Sequence, residues 1–63
     1  MLTYHDHAIQ IENYKMILNV RKDEIKIACR DYVLVISGKD LRIARMSKEE
    51  VLIAGNLSQL VFP

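Results

Sequence analysis

The chain has 63 residues, with nine Lys and Arg against eight Asp and Glu and a formal net charge of +1. So short a chain is a single domain and buries only about 60% of the surface its unfolded form exposes, which leaves stability marginal without outside help. A lone cysteine rules out an internal disulfide, charges of both signs dispersed along the chain argue against a phosphate-tracking groove, and no apolar run approaches the ~20 residues of a membrane span.

The predicted elements are strands, because apolar residues recur with period two. Ile9 and Ile11 oppose Gln10 and Glu12. Met16, Leu18 and Val20 share a face opposite Lys15 and Asn19. Ile25, Ile27 and Cys29 oppose Lys26 and Arg30, and Leu41 and Ile43 oppose Arg42. Between these runs lie turn-type segments: Glu12-Asn13, Arg21-Lys22-Asp23, Arg30-Asp31, Gly38-Lys39-Asp40, Ser47-Lys48-Glu49 and Gly55-Asn56. Ser47-Lys48-Glu49-Glu50 also fits a helix capping box, but the apolar run after it ends at Gly55, too soon for a stable helix. At most one helical turn is expected there.

Two segments match each other, Leu34-Val35-Ile36-Ser37-Gly38 and Val51-Leu52-Ile53-Ala54-Gly55, with the glycines 17 residues apart. Each reads as a strand ended by a glycine turn, Gly38 and Gly55 supplying a positive φ. Ile36, Ile53, Val35 and Leu60 are the expected core residues. Tyr32–Ile36 and Val51–Ala54 are apolar on both faces, as in covered central strands. The expected fold is therefore all-β: a small antiparallel meander of about seven short strands, curled into a rolled sheet or sandwich. Its first and last strands, near Ile9–Ile11 and Leu57–Phe62, would have open edges, and the second of these carries no charge.

Chemical motifs are sparse. His5 and His7, two apart, could share a metal on a strand, but Cys29 or Asp31 would have to supply further ligands; a solvated terminus and no metal are expected. Cys29 reads as a small buried hydrophobe. Ser37, Ser47 and Ser58 lie beside turns with no histidine assured as a base. Asp23-Glu24 and Glu49-Glu50 read as turn and edge acids. Gly38 and Gly55 stand alone, without a phosphate-cradling loop. No catalytic residue, cofactor or small-molecule substrate is expected. A second reading is a small barrel binding single-stranded nucleic acid, with Tyr4, Tyr14, Tyr32 and Phe62 for stacking and Lys15, Lys26, Arg30, Arg42 and Arg45 along the backbone path. The residues favour core and edge roles for these aromatics.

From Ile9 to Phe62 the chain resembles the YabP/YqfC family of small sporulation proteins, most closely the YqfC branch. The resemblance rests on Ile11-Glu12-Asn13-Tyr14-Lys15, Glu24-Ile25-Lys26-Ile27, Val35 to Ile43 and Glu49 to Phe62. It implies a non-catalytic protein-interaction role in endospore formation, in the mother-cell cytoplasm, and it transfers no binding or catalytic residue. Relatives carry a further N-terminal segment, so a piece of a slightly longer protein is expected. Leu2-Thr3-Tyr4-His5 does not read as a signal peptide. The amount of apolar surface on so small a chain also points to a protein partner or to self-association as a homodimer.

Overall fold

The structure, a computed structural model, describes residues 2–62. Six strands account for most of it: β1 (Leu2–His5), β2 (Ala8–Glu12), β3 (Met16–Val20), β4 (Glu24–Ala28), β5 (Val33–Met46) and β6 (Glu50–Val61). All pair antiparallel in one sheet of order β1-β2-β6-β5-β4-β3, and the end strands β1 and β3 do not pair with each other. The all-β, antiparallel expectation holds, with no helix among the described residues. The strand count is six rather than seven, and the sheet does not close.

The order also departs from a simple meander. β6 lies between β2 and β5, so the chain must leave one half of the sheet after β2 and begin the other half at β3. The crossover at Asn13–Lys15 is tied down at each step. Asn13, at φ 62°, donates its N–H to Glu49 C=O (2.6 Å), and Lys15 N–H donates to Ala28 C=O (2.8 Å). Between them the Tyr14 hydroxyl donates to Ser47 C=O (2.8 Å).

The count falls short because the matched segments do not end at their glycines. β5 has 14 residues and β6 has 12, and each runs straight through, Gly38 in β5 and Gly55 in β6. Register shifts between Ser37 and Gly38, Lys39 and Arg42, and Ile43 and Arg45 mark bulges, which bend and twist the pair. A Cβ on Gly38 would run into Asn56 C=O, and one on Gly55 would lie 2.6 Å from Asp40 O. Gly55 is at φ +136°, whereas the positive φ near Gly38 belongs to Asp40, at 54°. The glycines are there because two backbones cross closely at a corner, not because a turn ends a strand.

Bending at this corner turns the sheet into two facing halves. One half is β3-β4-β5-β6, using residues 33–38 of β5 and 57–61 of β6; the other is β1-β2-β6-β5, using residues 50–54 of β6 and 41–46 of β5. Their inner faces meet in one core. Ile25 pairs with Ile36 and Ile27 with Leu34 in the first half; Ile9 pairs with Ile53 and Ile11 with Val51 in the second. All eight are at most 2% exposed, and Leu41 completes the cluster. Each such side chain contributes about 1.5–3 kcal/mol on burial.

Ile36 and Ile53 are thus core residues as expected. Val35 is not: it lies on the outer face, in register with Lys26 and Val61, and is half-buried. Leu60 packs against the core from a half-buried position. In β3 the expected face is displaced. Ile17 packs on the core, a register shift between Ile17 and Asn19 bulges Leu18 outward, and the edge position leaves Met16 and Val20 exposed. No helix is long and apolar enough to cross a membrane.

Candidate interaction surface

The 17-residue match between β5 and β6 is the sequence imprint of an approximate internal two-fold. The axis falls near Lys39-Asp40 and Asn56-Leu57, where the two strands pair across the corner. It exchanges β5 with β6, β4 with β2 and β3 with β1, and the strand order reads the same from either end under that exchange. Ile25 and Ile27 of β4 stand 16 residues after Ile9 and Ile11 of β2, with identical burial patterns. A backbone bond repeats too: Gly38 N–H donates to Asp23 C=O (3.1 Å), and Gly55 N–H donates to His7 C=O (3.2 Å).

The two-fold gives each open edge a counterpart against which it can be judged. Beyond Ser37, β5 has left β4; beyond Ala54, β6 has left β2. The outgoing half of β5 reads Lys39-Asp40-Leu41-Arg42-Ile43-Ala44-Arg45. Its counterpart in β6 reads Asn56-Leu57-Ser58-Gln59-Leu60-Val61-Phe62. Four charged positions on one edge are uncharged on the other.

The spaces beside the two edges differ in the same sense. Leu41 is 4% exposed and donates its N–H to Lys22 C=O (2.8 Å), which seals the β3–β4 turn against β5. Its counterpart is Ser58, which is exposed, donates its hydroxyl to Ser37 C=O (3.1 Å) and makes no such bond to the β1–β2 turn. A groove of about 220 Å³ is left there, lined by Tyr4, Ile9, Leu57, Ser58, Gln59 and Leu60. None of these is charged.

The other sequence candidates lie apart from this groove. His5 ends β1, while Asp6 and His7 form the two-residue turn to β2 at φ 51° and 62°. The two histidines therefore do not share a strand face; His5 Nε2 instead meets Asp6 Oδ2 at 3.0 Å, both well exposed. Among the described residues no three His, Cys, Asp or Glu side chains gather as metal ligands would. Cys29 is half-buried beside Tyr32 rather than fully buried. Contact with its thiol, then burial, pushes the Tyr32 hydroxyl above its usual range. Tyr14 and Tyr32 cap the core edge as read from sequence, but Phe62 is 54% exposed and meets Tyr32 edge-on at 5.3 Å.

The capping-box bond at Ser47 exists without a helix. Glu50 N–H donates to Ser47 Oγ (3.2 Å) within the β5–β6 turn. Glu50 also accepts from Gln10 Nε2 (3.0 Å), and Asp23 is held by Arg21, which keeps its carboxyl below the usual range. The basic residues are scattered: Lys26 lies on the outer face of one half, Arg42 and Arg45 on the other.

The YabP family profile matches residues 3–63, nearly the whole chain. The chain belongs to the YabP family. No protein of curated function and no solved structure matches it. In this YabP-family protein, then, the feature that stands out is the uncharged outgoing edge of β6 beside an uncharged groove; the end strand β3 is uncharged too, but no such groove is found beside it among the described residues. The sequence showed the missing charge at Leu57–Phe62. It did not show the groove, which arises from the Leu41-to-Ser58 difference and is visible only once the two-fold is known.

Proposed function

We propose that this YabP-family protein is a non-catalytic interaction module of endospore formation, nearest to the YqfC branch, working in the mother-cell cytoplasm. The family match over residues 3–63 carries this reading. The side-chain chemistry agrees with it. Ser47 and Ser58 bond to backbone, Asp23 pairs with Arg21, and Glu50 holds Gln10, each in a structural contact. A nucleophile needs a base and a group to orient that base; these contacts supply neither. The module acts by docking protein, its own copy or another, through strand edges.

The test is genetic and biochemical. Deleting the gene in its endospore-forming host should lower the yield of heat-resistant spores and leave vegetative growth unchanged. A tagged copy should be expressed in the mother cell and retain a protein partner on affinity capture. Normal spore yield together with expression throughout vegetative growth would refute the reading.

A further inference from the structure

We propose that the outgoing half of β6, Leu57–Val61, pairs antiparallel with the same segment of a second copy about a two-fold axis near Gln59, joining two half-sheets into one. This deepens the interaction reading above and rests on it. An open edge demands an extended strand, because its N–H and C=O groups need partners in a ladder. Gly38 directs its N–H to the β3–β4 turn, so by strand alternation Ser37 and its partner Gln59 face each other, and Leu60 turns its N–H and C=O to the open side.

Two observations select a second copy as the occupant. The first is charge. β5 guards the equivalent edge with Lys39, Asp40, Arg42 and Arg45, whereas β6 carries no charge over Asn56–Phe62. A charged partner strand would find no counter-ion there. An identical strand meets no like charge, and a net charge of +1 per copy offers no long-range repulsion. The second is shape. The groove of about 220 Å³ lies where Ser58 replaces the core-filling Leu41. Leu57 and Leu60 pack towards the core beside it. Antiparallel pairing about the axis sets the copy's Leu60 opposite Ser58 at this groove, and the first copy's Leu60 opposite the copy's Ser58, so the same contact is made twice. Such an interface is isologous and closes at two copies.

The test uses the full chain in light scattering coupled to gel filtration, with the variants Gln59→Lys and Gln59→Glu. Gln59 is exposed, so both should keep the wild-type circular dichroism. Wild type should run as a dimer. Either variant alone should weaken association by about tenfold or more, because like charges face across the axis. An equimolar mixture of the two should recover the dimer. Leu18→Lys, on the β3 edge, should leave the dimer intact. If a Gln59 variant does not fold, hydrogen exchange on wild type decides: the Leu60 amide should gain protection with concentration while those of Met16–Val20 do not. A wild-type monomer at high micromolar concentration, or a dimer that survives both Gln59 variants, would overturn the proposal, and loss of the dimer in Leu18→Lys would place the interface on β3 instead. The mother-cell capture experiment would still judge the interaction reading by itself.

Discussion

Asp6 and His7 both occupy left-handed backbone, at φ 51° and 62°, in the two-residue turn between β1 and β2. Such turns favour Asn or Asp followed by Gly, and a histidine there carries a Cβ penalty. His7→Gly should therefore raise stability by about 1 kcal/mol, read as a higher urea midpoint with an unchanged slope. Gly38 predicts the opposite. Its Cβ would collide with a backbone carbonyl that belongs to the corner itself, so Gly38→Ala should cost about 3 kcal/mol, the upper range for overpacking. Tyr32 offers a spectroscopic test. With its pKa raised in the fold, it favours the neutral phenol, so its contribution to stability is present below the unfolded value and is lost as pH rises through the folded one. Ultraviolet titration should find Tyr32 ionising above the usual tyrosine value of 10.0, and Cys29→Ala should move it back.

At the level of the strand, face assignment governs the cost of truncation. Ile53→Ala should cost about 2–5 kcal/mol, as for any buried aliphatic side chain cut to a methyl. Val35→Ala, on the outer face, should cost clearly less, and chemical denaturation of the pair would expose any error of register. Period two made β2 and β4 legible, since one face of each is buried and one half-open. It misled at β3, where the bulged residue Leu18 shifts the phase and an edge position leaves Met16 and Val20 exposed. The glycines misled in another way. An apolar run followed by Gly-Lys-Asp looks the same whether the chain reverses or bends through a bulge, and only the facing strand decides between them. β1 was hidden because its burial is slight and its turn lacks glycine.

Across the whole molecule, what could be read was the all-β class, the turns around β4, and the uncharged edge at Leu57–Phe62. What could not was strand order, because the partner of Ile11 is Val51, 40 residues away. The crossover that makes this order possible hangs on few bonds. Tyr14→Phe removes the one from its hydroxyl to Ser47 C=O and should cost about 1 kcal/mol, a difference measurable by thermal or urea unfolding.

The insertion of β6 between β2 and β5 has a kinetic side. The hairpin of β1 and β2 is made first but has no lateral neighbour until Glu50–Ala54 exists. Until then Ile9 and Ile11 can bury themselves only against whatever strand is near, whereas β3, β4 and the first half of β5 are contiguous and can assemble as soon as they are made. Closing the long loop from β2 to β6 costs entropy before any contact repays it. We therefore expect the folding nucleus at Ile25, Ile27, Leu34 and Ile36, with the N-terminal hairpin joining late, which φ-values near zero for Ile9→Val and Ile11→Val would bear out. In a crowded cell, a waiting hairpin can take its missing strand from a neighbouring chain, so dilution during refolding should favour chains threaded on their own β6 over strand-exchanged forms.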